Sequence, residues 1–256
     1  MLERGKRGQA TIFIIIALII VAVVFVIFIY PKIKGGSQID VTQDPQIYLE
    51  SCLKSNLKDN INKLSIHGGD FNPEGYVQFN GTKIKYLCYT NEYYKTCVNQ
   101  QPMIKEHFED VLTEAMKGNV ASCVKNLQNE YEKRGWKISA GDVSSDVNLI
   151  TDAIIININA PMTLTNEVSK TYRTFEIRYP SKMYEILYLA SSIVSYESTF
   201  GDSETFTYLL FYPNVNIYKN HLGDGTVIYR VENVITKEGF TFASRSLAWP
   251  PGLGPQ

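Results

Sequence analysis

The chain has 256 residues, of which 45% are hydrophobic and 20% are charged, a composition typical of a folded globular protein. That composition excludes a disordered, collagen-like or coiled-coil chain. Lys and Arg total 25 against 26 Asp and Glu, a formal net charge of −1, and this balance argues against a nucleic-acid partner, whose phosphates require a basic face.

An apolar segment near the N-terminus predicts a transmembrane helix over residues 10–30. The segment contains no charged residue, no Gly and no Pro. As a helix it would be about 31 Å long, which matches the roughly 30 Å hydrocarbon core of a bilayer. A cleaved secretory signal has a shorter apolar region and a small-x-small cleavage site, so we favour an uncleaved signal anchor, with the lipid bilayer as a partner.

Basic residues flank this segment, with Arg4, Lys6 and Arg7 before it and Lys32 and Lys34 after it. The positive-inside rule then favours a cytoplasmic N-terminus and a C-terminal domain outside the cell membrane. The predicted parts of this single-pass protein are a basic leader at 1–9, the helix at 10–30, a linker at 31–44, a cysteine-containing helical and hairpin subdomain at 45–135, an α+β subdomain at 136–248 and a loose tail at 249–256.

The N-terminus also resembles a known family. The sequence Lys6-Arg7-Gly8-Gln9-Ala10-Thr11, followed directly by about twenty apolar residues, resembles the start of archaeal type IV pilin-like precursors. The resemblance implies processing by a prepilin peptidase between Gly8 and Gln9, and a helix that packs in a filament. The rest of the chain resembles uncharacterised single-pass surface proteins of archaea. An ordinary single-pass anchor with a basic flank is the alternative that these residues leave open.

The remainder of the chain predicts an α+β ectodomain made of helices and an antiparallel sheet. Helical spacing of apolar residues begins after the N-cap signal Asp44-Pro45 and ends at His67-Gly68-Gly69. A second helical stretch follows Pro102 and closes at Arg134-Gly135, with Gly118-Asn119 predicting a kink or break. A third covers 181–199.

Strands are predicted between and after these helices. Asn80-Gly81 separates two alternating runs, which is the signature of a two-residue hairpin turn. Further strands are expected at 147–164, 171–179, 205–212, 226–234 and 240–246.

Four cysteines, all beyond the apolar segment, predict two disulfides. We favour Cys52 with Cys123, between two helices, and Cys88 with Cys97, across a tight turn. Buried free thiols are the alternative. A zinc site is disfavoured because no C-x₂₋₄-C pair occurs, and no other metal or cofactor is expected.

Candidate chemistry is sparse. Two S-x-x-K motifs, Ser51 with Lys54 and Ser122 with Lys125, would suit an envelope serine hydrolase, but the companion S-D-N and K-T-G elements are missing. Asn80 lies in a glycosylation sequon. The 17 tyrosines, several of them near the cysteine turn, could form a binding surface.

The sequence therefore favours a structural or interaction role without evident catalysis for a membrane-anchored extracytoplasmic domain. Its expected partners are the bilayer and other envelope proteins or surface glycans. A pilin-like filament subunit processed near Gly8 and a serine hydrolase are the alternatives.

Overall fold

The structure is a computed structural model, and it describes residues 16–21 and 44–249. Residues 16–21 are helical and belong to one compact unit, Met1–Asp40, whereas residues 44–249 belong to another, Val41–Gln256. All helices and strands named below lie in the second unit.

The prediction of a transmembrane helix over 10–30 is wrong. No helix within the described residues is long and apolar enough to cross a bilayer. Of that segment, only residues 16–21 are described, and they are helical. This finding contradicts the predicted single-pass topology, signal anchor and cell-membrane localisation. The leader at 1–9, the linker at 31–44 except for Asp44, and the remaining parts of the segment lie outside the described residues.

Between residues 44 and 249 the chain forms four helices and ten strands, in agreement with the predicted α+β class. The helices are α1 (Pro45–Ile66), α2 (Ile104–Lys133), α3 (Met183–Phe200) and α4 (Phe206–Phe211). The strands are β1 (Tyr76–Phe79), β2 (Thr82–Tyr89), β3 (Val98–Asn99), β4 (Lys137–Ala140), β5 (Ser144–Ile150), β6 (Ala153–Thr165), β7 (Ser169–Pro180), β8 (Val215–His221), β9 (Thr226–Asn233) and β10 (Gly239–Arg245).

The first sheet is mixed rather than purely antiparallel. Its strand order is β1-β2-β10-β9-β8, and the short β3 also pairs with β2. Every pairing is antiparallel except that of β2 with β10, which is parallel. That parallel pair joins segments from opposite ends of the domain, so the predicted subdomains at 45–135 and 136–248 share one sheet.

The second sheet is antiparallel and is built around the long strand β6. Strand β7 pairs with β6 along nearly its whole length, while β5 and β4 pair with successive parts of its other edge. Ile154, Ile156 and Ile158 of β6 are buried on one face, as their alternation predicts.

The three long helices lie between the two sheets. Helix α1 contacts β10 of the first sheet and β7 of the second, and α3 contacts β9 and β10 as well as β5 and β6. Helix α2 packs on α1 and β5, and its Phe108 ring lies 6.3 Å from that of Phe240 in β10. One hydrophobic cluster therefore runs through both sheets and the helical layer.

Local signals explain the limits of α1 and of the first hairpin. The side chain of Asp44 accepts a hydrogen bond of 2.9 Å from the backbone N–H of Gln46, and Pro45 occupies the first turn. The hairpin turns at Asn80 and Gly81, whose φ angles of 48° and 78° are those of a type I′ turn.

Helix α2 runs without interruption through Gly118-Asn119, so the break that was one of the two expectations there does not occur. Gly118 is exposed, and nothing lies within 4 Å of the position that a Cβ would occupy. The buried residues on either side, Met116 and Val120, stay on one face of the helix. Packing of that face outweighs the low helix propensity of a single Gly.

Replacing Gly118 with Ala is expected to raise the free energy of unfolding by about 0.8 kcal/mol, because Ala lowers the backbone entropy of the unfolded chain. Urea denaturation measures the change. Gly201→Ala is the matched control: its φ is 90° and its Cβ would overlap the Cβ of Ala248, so this variant loses stability. A loss of stability in Gly118→Ala would show that the helix is strained there.

The strand predicted at 205–212 is wrong, because these residues form helix α4 and the strand β8 follows it. Phe206 and Leu210 lie one turn apart on the exposed side of α4, whereas Tyr208 packs against the core. Apolar residues at every second position fit a strand, but a short helix can place the same residues on two sides.

Candidate functional site

Both cysteine pairs are disulfide-bonded, in the connectivity that the sequence favoured. Cys52 of α1 is bonded to Cys123 of α2, with Cα atoms 6.1 Å apart. Cys88 of β2 is bonded to Cys97, with Cα atoms 5.3 Å apart, and this bond closes the turn before β3. The first bond fixes α1 on α2, and the second fixes the edge of the first sheet. Cys88, Cys97 and Cys123 are buried, which suits structural bonds.

Neither S-x-x-K motif forms a hydroxyl–amine pair. The exposed hydroxyl of Ser51 donates to the backbone carbonyl of Tyr48 at 3.0 Å. Ser122 and Lys125 both lie exposed on α2. Across residues 44–249, neither motif has a hydrogen bond between its Ser and its Lys, whereas a nucleophilic Ser needs a base in contact. The serine-hydrolase alternative gains no support from this arrangement.

Two further predicted sites concern modification. Asn80 is exposed at the tip of the β1–β2 hairpin, where an enzyme could reach its side chain, and its glycosylation stays a prediction. Gly8 and Gln9, the predicted processing site, lie outside the described residues.

Asp70, Lys85 and His107 form a polar cluster where the loop after α1 meets β2 and α2. The two oxygens of Asp70 lie 2.6 Å from Nζ of Lys85 and 2.9 Å from Nε2 of His107. Burial by itself would raise the pKa of Asp70, but Lys85 and then His107 lower it below the ordinary value. Within the described residues, no group of three or more His, Cys, Asp or Glu side chains could hold a metal. The cluster therefore joins the loop to its neighbours.

A buried carboxylate lies at the C-terminal end of α3. Glu197 is 0% exposed, and its two carboxylate oxygens accept hydrogen bonds from three uncharged donors. The hydroxyl of Tyr229 and the backbone N–H of Ser203 donate to Oε1, the latter at 2.8 Å. The hydroxyl of Ser244 donates to Oε2 at 2.9 Å and also lies 3.6 Å from Sγ of Cys97. The network thus ties α3 to β9, β10 and the second disulfide.

Burial raises the pKa of Glu197, and its three hydrogen bonds offset only part of that effect. Burial and the neighbouring Glu197 carboxylate also raise the pKa of Tyr229. An ion pair between Asp202 and Lys219 lies beside the network, and Nζ of Lys219 is 5.8 Å from the centre of the Tyr229 ring. Tyr229 therefore stays protonated, and its hydroxyl donates a hydrogen bond to the side chain of Glu197. The network fixes the position of α3 against the first sheet.

Sequence reasoning missed Glu197, although a signal for it exists. The buried stripe of α3 includes Ile193 and Val194, and Glu197 follows them by four and three positions. A residue at that spacing lies on the same face of the helix. A lone acid on an apolar stripe indicates a buried carboxylate.

The opposite side of α3, together with α4, carries exposed apolar side chains that we call the aromatic face. Its members are Tyr188, Tyr196, Phe200, Phe206, Leu210 and Phe211. The rings of Tyr196 and Phe200 are 4.6 Å apart, and the hydroxyls of Ser192 and Tyr208 are 2.9 Å apart, which places α4 beside α3. From 188 to 200 the exposed side of α3 has no charged side chain, because Glu197, the only charged residue of this stretch, is buried. Glu204, just before α4, is exposed, and its carboxylate accepts a hydrogen bond of 2.9 Å from the backbone N–H of Phe206.

An open groove of about 380 Å³ follows the aromatic face along α3. Its lining residues are Tyr188, Ser191, Ser192, Ser195, Tyr196, Thr199 and Phe200. A second groove of about 120 Å³ shares Tyr188 and Ser191 with the first and extends to Lys105 and Glu106 of α2. The groove along α3 is therefore lined by aromatic rings and aliphatic hydroxyls, and Lys105 and Glu106 lie at the end of the second groove.

The tyrosine surface that the sequence suggested near the cysteine turn is divided in two. Tyr86 and Tyr89 pack edge to face at 4.9 Å, and the guanidinium of Arg245 lies 5.8 Å from the Tyr89 ring. Tyr93 and Tyr94 are 65% and 75% exposed. Two of the four rings thus stabilise the sheet, and the remaining two offer less area than the aromatic face.

No family model, curated protein or solved structure matches this chain. Three arrangements within residues 44–249 could act in its function: the Asp70 cluster, the Glu197 network and the aromatic face. Glu197 is enclosed, and Asp70 is occupied by Lys85 and His107. The aromatic face alone of these three is open to a large partner, so it is the candidate functional site.

Proposed function

We propose that residues 44–249 form a protein-binding domain with a structural or interaction role, and that the aromatic face is its recognition surface. The observation that supports the proposal is the exposure of six large apolar side chains, from 39% to 75%, on two adjacent helices. Scattered exposed apolar residues are normal on a protein surface, whereas neighbouring ones such as Tyr196 and Phe200, whose rings are 4.6 Å apart, mark an interaction site.

The chemistry of the aromatic face suits binding of another protein. Tyr and Phe contribute large contact areas with only two rotatable side-chain bonds, so little conformational entropy is lost when they are buried. The hydroxyls of Ser191 and Ser195 beside the rings offer adaptable hydrogen bonds. The two disulfides and the buried Glu197 network keep the helix that carries these residues in place.

Site-specific photo-crosslinking in the cells that produce the protein tests the proposal. A photoreactive phenylalanine at position 200 is expected to form adducts that contain a second polypeptide. The same probe at Val168, which is 58% exposed in the turn between β6 and β7, is the control. Equal adducts at both positions, or adducts that carry only glycan mass, would contradict a protein-binding role for the aromatic face.

Removal of the Tyr196 ring tests how much the aromatic face contributes to the affinity for the partner. Tyr196→Ala is expected to weaken binding of the crosslinked partner about thirtyfold, which corresponds to the roughly 2 kcal/mol of a central interface tyrosine. Titration of the purified partner with wild type and variant measures the change. Val168→Ala serves as the control and is expected to leave the affinity unchanged.

A further inference from the structure

The loop between β2 and β3, residues 90–96, is held in one conformation, and we call it the tyrosine loop. The second disulfide closes its two ends. In its middle the backbone N–H of Tyr94 donates to the carbonyl oxygen of Leu247 at 2.7 Å. The N–H of Leu247 donates back to the carbonyl oxygen of Lys95 at 3.1 Å. The backbone of the loop is therefore fixed by the chain that follows β10.

The backbone of Tyr94 has an unfavourable conformation. Its φ is 63°, in the left-handed region, where the Cβ of an L-residue lies too close to a carbonyl oxygen. A bulky side chain rarely adopts this conformation. Most described positions with a positive φ are Gly, Asn80 is of a type that tolerates it, and Lys237 carries an unbranched side chain. Gly at position 94 would make the same turn without strain.

The ring of Tyr94 gives the fold nothing that offsets this strain. Tyr94 is 75% exposed, and the adjacent Tyr93 is 65% exposed. Within the described residues, neither side chain takes part in a hydrogen bond or a ring contact. Strained residues that persist in a structure are concentrated at sites that contact a ligand. The position of these rings therefore indicates a contact outside the domain.

We infer that the tyrosine loop binds a neutral saccharide, and that the rings of Tyr93 and Tyr94 stack on the C–H faces of its sugar units. The C–H groups on one face of a pyranose ring are apolar, whereas the hydroxyls at its rim stay in water. An exposed Tyr ring, which is apolar with a polar tip, can therefore bind a sugar without enclosing it. This site is separate from the aromatic face, so either proposal can fail without the other.

The exposed area of the two rings is too small for a protein partner. At about 200 Å² of surface for each side chain, the exposed fractions of Tyr93 and Tyr94 correspond to about 280 Å². A standard protein interface buries about 800 Å² on each partner. A drug-sized apolar molecule binds in a concave pocket that covers most of its surface, whereas these rings stand in solvent. A single stretch of sugar units needs neither a large interface nor a pocket.

The charges of the loop disfavour an anionic ligand. Glu92 and Lys95 are its only charged residues, and Nζ of Lys95 lies 2.5 Å from Oε2 of Glu92, so they compensate each other. Arg245 beside the loop faces Asp224 at 3.8 Å. A nucleic acid needs an excess of positive charge for its phosphates, which this surface does not provide. The exposed amide of Asn91 can both donate to and accept from sugar hydroxyls.

Binding of the full chain to a printed array of neutral hexose polymers and acidic uronic-acid polymers tests the inference. Wild type is expected to bind at least one neutral polymer. Tyr94→Gly is expected to weaken this binding about tenfold or more, because a central aromatic contact is lost. At the same time its midpoint of thermal unfolding should rise by about 2 °C, since the backbone strain is relieved. A ring that only stabilised the fold would lower both quantities.

Lys237→Gly is the matched control. Lys237 has the same φ of 63° in the turn between β9 and β10, so its replacement should also raise the unfolding midpoint. Binding to the array should stay unchanged, because no ring is removed. Tyr93→Ala tests the second ring without touching the strained position. It is expected to keep the circular dichroism spectrum of wild type and to weaken binding as well.

Several results would overturn the inference. They are binding to no neutral polymer, binding to acidic polymers alone, and binding that Tyr94→Gly and Tyr93→Ala leave unchanged. A lower unfolding midpoint in Tyr94→Gly would show that the ring stabilises the fold and would overturn it too. Photo-crosslinking at position 93 in the cells that produce the protein distinguishes the two kinds of partner. Adducts of glycan mass support the inference, whereas adducts with a polypeptide replace the saccharide by a protein and contradict it.

Discussion

Removing the disulfide between Cys52 and Cys123 by replacing both residues with Ala is expected to lower the free energy of unfolding by about 4 kcal/mol. The two residues are 71 positions apart in sequence, so the bond closes a long loop and restricts the unfolded chain strongly. In the native state it also joins α1 to α2 within the helical layer. Guanidinium denaturation of wild type and double variant measures the difference.

Removal of the second disulfide is the internal comparison. Cys88 and Cys97 are nine positions apart, so the chain-entropy model predicts a smaller loss of about 3 kcal/mol for the double Ala variant. The double Ala variant also loses the contact between Sγ of Cys97 and the hydroxyl of Ser244 in the folded protein. An equal or larger loss for the short loop would mean that native contacts, and not loop length, set the contribution of each bond.

Replacing Glu197 with Ala is expected to cost about 4 kcal/mol, because it leaves buried donors without an acceptor and opens a cavity. The hydroxyl of Tyr229 and the N–H of Ser203 lose their partner, whereas Ser244 can turn toward Cys97. Glu197→Gln keeps one acceptor oxygen and nearly the same volume, so its loss should be less than half as large. Equal losses in the two variants would show that the hydrogen bonds of this network contribute little.

The pH dependence of Glu197→Gln has a definite sign. Burial raises the pKa of Glu197 in the folded protein above its ordinary value of 4.5, so the folded state holds this proton more tightly than the unfolded state. The stabilisation from protonated Glu197 is fully present below about pH 4.5, the ordinary pKa of a glutamate. It is lost as the pH rises through the raised pKa of Glu197 in the folded protein. Glutamine does not titrate, and the neighbouring Asp202, Lys219 and Tyr229 are the same in both proteins.

The stability of wild type relative to Glu197→Gln should therefore fall as the pH rises from about 4.5 toward 8. Urea denaturation of both proteins across this range measures it, with the difference between the two taken at each pH. A relative gain for wild type with rising pH would mean that the folded state favours the charged carboxylate. The partners of Oε1 and Oε2 would then outweigh burial.

The exposure of the aromatic face could not be predicted from the sequence. The buried stripe of α3 follows from helical spacing, and the same spacing places Tyr188, Tyr196 and Phe200 on another side. Their apolar character alone does not tell whether a further layer covers them. The structure answers that question because both sheets pack on the other sides of α3, and within the described residues this side is left open.

The apolar segment at 10–30 shows a different limit. Length and hydropathy alone predicted a span there, and among the described residues no helix meets that description.

The sequence by itself determined the elements whose signals lie within a few residues of one another. Asp44-Pro45 starts α1, Asn80-Gly81 turns the first hairpin, and Cys88 is close enough to Cys97 to pair across one turn. Only the tertiary structure decided the parallel pairing of β2 with β10, the hydrogen-bond partners of Glu197 and the exposure of the aromatic face. Those features depend on contacts between residues far apart in the chain, and a residue's neighbours in sequence carry no record of what packs against it.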